Sequence, residues 1–203
     1  MKSTLKAENC FCADVYWKGK DQVLHKVAAT MNNETVFKNN DGWLFAGNDN
    51  YTKRLGNGMV WDRYLMQLSF WFGCYVFEDG RHLYRIAAFT RHLEQPDARN
   101  HRFNGHHVDI SKNGFLGLYD VHPDYIDGGD YLNKLLFQLD HLGAEALSMG
   151  QVVEQVQLTS PYGRQVKVVD DEGYHLLNES RAGEAGSFTL KVLEVGQGLP
   201  FSG

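Results

Sequence analysis

Apolar and polar residues alternate most clearly in the C-terminal quarter of the chain. Four short apolar segments are separated there by turn-forming sequences, and Phe188, Leu190 and Val192 alternate with polar neighbours. This pattern is typical of an antiparallel sheet with one buried face, and it predicts a C-terminal β-meander. Residues 10–17 and 22–30 predict two further strands, which are joined by a turn in the sequence KGKD.

The segment 74–89 predicts a hairpin in the middle of a sheet. Asp79-Gly80 is a dipeptide that closes two-residue type I′ turns, in which both residues have left-handed backbone angles. The flanking sequences CYVF and LYRIAAF are apolar on both faces, as is typical of strands that are covered on each side. By contrast, residues 47–58 are rich in glycine and asparagine, and we expect them to form a loop.

Two segments, at about 59–72 and 130–149, have the apolar spacing of an amphipathic helix. In the first, the intervals are four, three and four, at Trp61, Leu65, Leu68 and Phe72. In the second, leucines form a stripe at Leu132, Leu135, Leu136, Leu139, Leu142 and Leu147. The expected fold class is therefore α+β, a mainly antiparallel β-sheet with these two helices packed on it and the C-terminal β-meander. We expect residues 1–203 to form a single domain, with a C-terminal subdomain at 151–203 as the alternative.

Composition and charge restrict the class of partner. Hydrophobic residues make up 43% of the chain and charged residues 22%, values that are typical of a globular protein. The net charge of −5 repels phosphate backbones and anionic lipids, so neither nucleic acid nor a membrane is an expected partner. We found no apolar stretch as long as a membrane span or a signal peptide, and we expect a cytoplasmic protein. The odd cysteine count, at Cys10, Cys12 and Cys74, indicates reduced packing residues.

The segment 101–122 concentrates histidines and aspartates around two Asn-Gly pairs. If each pair closes a two-residue hairpin, the histidines divide between two faces, and His107 lies opposite Asp120. The mostly apolar face would hold His101 and His106 as core residues. The polar face would hold Arg102, His107, Asp109, Asp120 and His122.

Two kinds of site are compatible with the polar face. His107, Asp109 and His122 could bind a divalent metal, zinc or iron, since two histidines and one carboxylate form a common ligand set. Without a metal, His107 oriented by Asp120 could act as a general base, with Arg102 positioning an anionic group. An ordinary solvated sheet surface remains the alternative to both.

No established catalytic signature occurs in the chain. The heavy aromatic content, with four Trp and ten Tyr, favours a soluble binding protein that acts as an accessory, regulatory or inhibitory factor on a protein partner. The first alternative is a hydrolase-type enzyme that uses the His/Asp site. The second is a binder of a phosphate-containing ligand or nucleic acid through the arginine-rich segment 81–102, which includes Arg81 and Arg85.

Overall fold

The computed structural model describes residues 3–32, 42–47, 51–54, 60–90, 103–120, 135–142, 146–171 and 174–196. These residues form antiparallel β-structure, with one short 3-10 helix at Ala7–Asn9. The strands of the first half are β1 (Ser3–Leu5), β2 (Phe11–Lys18), β3 (Leu24–Asn32), β4 (Leu44–Ala46), β5 (Tyr51–Arg54), β6 (Val60–Gln67), β7 (Ser69–Phe77) and β8 (His82–Phe89). Those of the second half are β9 (His107–Ile110), β10 (Leu116–Tyr119), β11 (Leu136–Asp140), β12 (Val152–Thr159), β13 (Lys167–Asp171), β14 (Tyr174–Asn178) and β15 (Ser187–Val195).

Six of the strands close into a ring in the order β2, β7, β8, β11, β12, β15 and back to β2. The ring closes at β2, which pairs with β15 along one of its edges. Along its other edge, β2 pairs with β7 at Phe11–Ala13 and with β3 at Tyr16–Lys18. Strand β3 continues the sheet to β4 and β6, and β4 pairs with β14. Strand β8 also pairs with β9, which forms a hairpin with β10.

The interior of the ring is a packed apolar core. Side chains from all parts of the chain meet there, including Val15, Phe70, Ile86 and Leu158, and every side chain that lines the central cavity is apolar. That cavity measures about 30 Å³, far below the roughly 300 Å³ at which small-molecule sites begin. The ring therefore encloses hydrophobic core rather than a ligand-binding chamber.

The outer face of β7 and β8 is buried as well. Trp71 and Tyr75 alternate along β7 with the inward-pointing Phe70 and Phe72, yet all four side chains are buried. Gly73 lies between them on the outer face, where a Cβ atom would collide with the indole ring of Trp71. The prediction that this hairpin is covered on both sides is confirmed.

The two predicted helices are wrong, so the fold class is not α+β. The segment 59–72 contains strand β6 and the start of β7, and the described part of 130–149 contains strand β11. The cause is burial on both faces of a strand: Leu136 packs in an outer cluster, while Phe137 and Leu139 belong to the main core. When both faces are apolar, the spacing of large residues no longer distinguishes a strand from a helix.

The four C-terminal strands are present, but they do not form a meander. Strand β12 pairs with β11 and β15, and β15 pairs with β2 over its whole length. Only β13 and β14 are joined as consecutive neighbours. The expected loop at 47–58 contains strand β5 at Tyr51–Arg54, paired with β6.

Three hairpin loops share one geometry. In each, an amide group bonds across the loop, as in Phe77 N–H to the carbonyl of Arg81 (3.0 Å) and Ser111 N–H to that of Phe115 (2.9 Å). The third loop runs from Ser160 to Arg164. The glycine before the closing residue has a left-handed φ of +74° to +83°, as in three-residue loops with a glycine bulge. The predicted turns at Asp79-Gly80 and Asn113-Gly114 are thus present, but each loop is one residue longer than predicted.

Candidate anion-binding site

The longer loop at Ser111–Phe115 changes which residues face one another across β9 and β10. His107 lies opposite Tyr119, not opposite Asp120 as predicted, and Val108 lies opposite Leu118. A shift of one residue moves every side chain of a strand to the other face. His107 and Asp109 therefore share the outer face with Tyr119, while Val108 belongs to the core.

The tip of the β9–β10 hairpin is held by hydrogen bonds from the last residue of β14 and from the two residues that follow it. The side chains of Asn178 and Ser180 each donate a hydrogen bond to the carbonyl of Asn113, at 3.1 Å. The amide of Glu179 donates to the carbonyl of Gly114, at 2.9 Å. Asn178 is fully buried. These bonds hold the hairpin, and with it His107, in one position on the sheet.

The turn at Asn104-Gly105 directly precedes β9, and backbone hydrogen bonds hold it against the end of β8. The amide of His106 donates to the carbonyl of Phe103 at 2.9 Å, and Gly105 has a φ of +84°. The side-chain oxygen of Asn104 accepts hydrogen bonds from both the amide and the hydroxyl group of Thr90, each at 3.1 Å. The predicted turn is thus present. The residues before Phe103, which were expected to pair with the start of β9, lie outside the described part.

Arg85 reaches the same outer face from the neighbouring strand. Ala87 on β8 is the register partner of His107, and Arg85 lies two residues earlier, so its side chain projects to the same side. Arg85 is 5% exposed and His107 is 1% exposed. Within the described residues neither ring nitrogen of His107 has a hydrogen-bond partner, and neither does Nε of Arg85.

The electrostatics of the site follow from burial and from the charge of Arg85. Burial is the main cause that lowers the pKa of His107 from 6.5 to about 3, and the charge of Arg85 and the neighbouring His106 lower it as well. The backbone of Tyr119 partly offsets this by raising the pKa. Tyr75, which follows Gly73 on β7 by two residues, interacts with the guanidinium group. Burial raises the pKa of Tyr75, and both the charge of Arg85 and its hydrogen bond to the hydroxyl group lower it.

Among the residues that the structure describes, Arg85 has no carboxylate partner. None of the ion pairs formed by the described residues includes it, and its known partner is the neutral hydroxyl group of Tyr75. Asp109 shares the face, but its carboxylate accepts a hydrogen bond from the amide of Ile110 at 2.7 Å, and burial raises its pKa. The site therefore combines a buried positive charge with a neutral imidazole and a phenol.

Of the other predicted site residues, the structure describes only Asp120. Asp120 is exposed at the end of β10, and Arg102 and His122 lie outside the described residues. Among the residues that are described, no three His, Cys, Asp or Glu side chains are close enough to hold a metal ion. Because His122 is not described, the metal set of His107, Asp109 and His122 stays a prediction.

The sequence grouped Arg85 with Arg81 in the arginine-rich segment 81–102. The structure separates the two: Arg81 is exposed and pairs with Asp79 at 2.8 Å, whereas Arg85 is buried. The signal that could have found the site was an arginine at an interior position of a strand that is apolar on both faces. Such a residue has no route to solvent unless the strand end is near.

Comparison of the chain with known protein families, with curated proteins and with solved structures gives no match. In the described ranges there is also no helix with the length and apolar character needed to cross a membrane. The function must therefore be argued from the site itself.

Proposed function

We propose that the protein is a binding protein for a small anionic ligand, a carboxylate or a phosphate, which is held by Arg85. The observation that carries this proposal is the burial of a guanidinium group that has no carboxylate partner in the described part of the chain. An arginine side chain keeps its positive charge in proteins, and a buried charge is costly unless it is paired. An anionic ligand would supply the missing partner, and guanidinium groups bind carboxylates and phosphates with two parallel hydrogen bonds.

His107 and Tyr75 complement this role. With a pKa of about 3, His107 is neutral near pH 7, so its ring offers one N–H donor and does not repel Arg85. The hydroxyl group of Tyr75 provides a second donor beside the guanidinium group. The site would thus present one positive charge and two neutral donors to an anion.

The same low pKa favours binding over catalysis. A general base works best when its pKa is near the working pH, and the pKa of His107 lies well below neutrality. Asp120, which was expected to orient the imidazole, does not lie opposite it. The hydrolase alternative also depends on Arg102 and His122, which are outside the described residues, and it stays a prediction.

We place the binding activity in a regulatory or accessory setting in the cytoplasm. The three cysteines are free and buried, as is usual in a reducing compartment. A protein partner remains a prediction. The exposed large hydrophobic residues of the described part lie in several segments of the chain, so they do not mark one interface. The most exposed of them are Val23 before β3, Met149 and Val152 around the start of β12, and Tyr162 in the β12–β13 loop.

Thermal unfolding in the presence of candidate anions tests the proposal. Acetate, succinate and inorganic phosphate would be added to the full chain, with chloride at the same ionic strength as the reference. A ligand that binds only the native state stabilises it by about 2.7 kcal/mol at 100 times its Kd. We expect a concentration-dependent rise in the unfolding midpoint with a carboxylate or with phosphate, and the two arms show which of these the site accepts.

Arg85→Gln should abolish this rise, since it removes the positive charge that would bind the anion. The matched control is Arg81→Gln, which changes an exposed arginine on the same hairpin and should leave the rise intact. The proposal is rejected if no anion exceeds chloride in its effect, or if Arg85→Gln responds like the wild-type chain.

A further inference from the structure

A concave site lies on another part of the ring and shares no residue with the Arg85 site. It is a groove of about 520 Å³, within the range of small-molecule sites. The turn after β2, the end of β11, the middle of β12 and the start of β15 form its walls. Its lining is polar and includes Gln22, His141, Glu154, Gln155, Gln157 and Gln165.

The backbone around this groove is strained at three points. Within the described residues, the non-glycine residues with left-handed φ angles are Gln22 (60°), His141 (68°) and Gln155 (60°). They belong to three different elements, yet all three line this one groove. Left-handed angles are unfavourable for residues with a Cβ atom, and glycine would relieve the strain. Residues of this kind concentrate at functional sites, where the side chain is needed in a set position.

Gln155 owes its position to a β-bulge. Val153 pairs with Leu190 and Val156 pairs with Phe188, so that Glu154 and Gln155 together oppose one residue, Thr189. Bulges redirect side chains and occur often beside binding and active sites. In a bulge with a left-handed residue, glycine is the usual occupant. Here that position carries a glutamine whose side chain lines the groove.

The lining is dominated by amide groups. Gln165 donates a hydrogen bond from Nε2 to Oε1 of Gln157, which leaves the amide nitrogen of Gln157 and the carbonyl oxygen of Gln165 for other partners. Gln22 donates from Nε2 to the carbonyl of Gly19 at 3.1 Å. The lining includes one negatively charged side chain, Glu154, and two positively charged ones, Lys18 and Lys20. Among the described residues, no large apolar side chain is part of the lining.

We propose that this groove binds a neutral polyhydroxylated ligand, a short saccharide. Each sugar hydroxyl group both donates and accepts a hydrogen bond, and each glutamine amide offers both functions, so the two chemistries are complementary. The mixed charges of Lys18, Lys20 and Glu154 give the groove no strong preference for a charged ligand. An apolar ligand would leave the amides without partners, which is unfavourable. The strained positions of Gln155, Gln22 and His141 serve to aim polar groups at the sugar.

Binding of uncharged trisaccharides to the full chain tests this inference. Maltotriose, cellotriose and tri-N-acetylchitotriose would each be titrated while backbone amide chemical shifts are recorded. We expect at least one of them to shift amides of the groove with millimolar or tighter affinity. No saturable shift with any of the three sugars would overturn the proposal.

Gln155→Gly distinguishes a binding role from a purely structural one. Glycine relieves the left-handed strain, so the variant should unfold at the same or a higher temperature, yet its affinity for the sugar should fall at least about tenfold, a change of 1.4 kcal/mol. Gln138→Ala, an exposed glutamine of β11 outside the groove, should retain full affinity. If Gln155→Gly and Gln157→Ala both bind as well as the wild-type chain, the inference is wrong. Because the Arg85 site is assayed separately with anions, either proposal can fail without the other.

Discussion

Arg85 and His107 project from neighbouring strands onto the same buried face, and the charge of Arg85 adds to burial in lowering the pKa of His107 to about 3. A carboxylate beside the imidazole would have had the opposite effect. The site thus holds one permanent charge and one imidazole that remains neutral until the solution is strongly acidic. Two measurable consequences follow, one for stability and one for titration.

His107 should make the protein less stable as the pH falls below about 6.5. The imidazole titrates near 6.5 when exposed and near 3 when folded, so between these values the unfolded chain binds the proton more tightly. The loss of stability approaches about 1.4 kcal/mol per pH unit for one such group and ceases below the folded pKa. Urea unfolding at a series of pH values measures this slope.

The slope should decrease in His107→Gln and should be unchanged in His82→Gln, which alters a partly exposed histidine of β8. An equal pH dependence in His107→Gln and the wild-type chain would show that the acid sensitivity arises elsewhere.

Arg85→Met should raise the pKa of His107 without restoring it to 6.5. The substitution removes the second-largest cause of the shift, but desolvation is the largest cause and remains. Methionine has a similar length and no charge to desolvate, so we expect the variant to be about as stable as the wild-type chain. Titration of the histidine ring resonances by NMR measures the pKa, and urea unfolding tests the stability. A pKa that does not move would place the guanidinium group farther from the imidazole than the structure does.

Gly114 and Gly80 occupy the same position in equivalent loops, with φ angles of +79° and +83°, but their surroundings differ. A Cβ at Gly80 would meet nothing within 4 Å, whereas at Gly114 it would collide with the side chain of Ser180. Gly80→Ala should therefore cost about 1–2 kcal/mol for the left-handed angle alone. Gly114→Ala should cost about 1–3 kcal/mol more, as in overpacked interiors.

Chemical denaturation of both variants measures the difference. Only Gly114→Ala should also weaken the anion response, because this loop anchors the strand that carries His107. Equal losses of stability in the two variants would contradict the contact between Gly114 and Ser180.

The strands of this fold could be predicted wherever one face is apolar or a glycine turn divides two apolar segments, as at 11–18, 24–32 and 187–195. The predictions were wrong where both faces are buried. In such segments Leu68 and Phe72, or Leu136 and Leu139, have helical spacing only by coincidence, and the pairing of distant strands decides the structure. Sequence alone could not show that β15 lies beside β2, because their contacts are remote along the chain.

The candidate site was located only in part, for a similar physical reason. His107 was selected from its local sequence, but its neighbours depended on the length of one loop. A turn of two residues would have placed Asp120 opposite His107, and the actual loop places Tyr119 there. Arg85 comes from another hairpin, and its burial depends on how β8 and β9 pair, which no local pattern reports.

The three cysteines should be unreactive in the native protein. Cys10, Cys12 and Cys74 are each at most 1% exposed, and burial raises the pKa of Cys10 to about 11 and also raises that of Cys74. Since the thiolate is the reactive form, both access and ionisation oppose modification. Labelling with an aromatic disulfide reagent at about pH 8 should therefore be slow in buffer and should reach three thiols per chain in denaturing urea. Met149→Cys provides the control, because residue 149 is 75% exposed, and should add one thiol that reacts at once. Rapid labelling of the wild-type chain in buffer would mean that the core opens around β2 and β7 far more often than its packing implies.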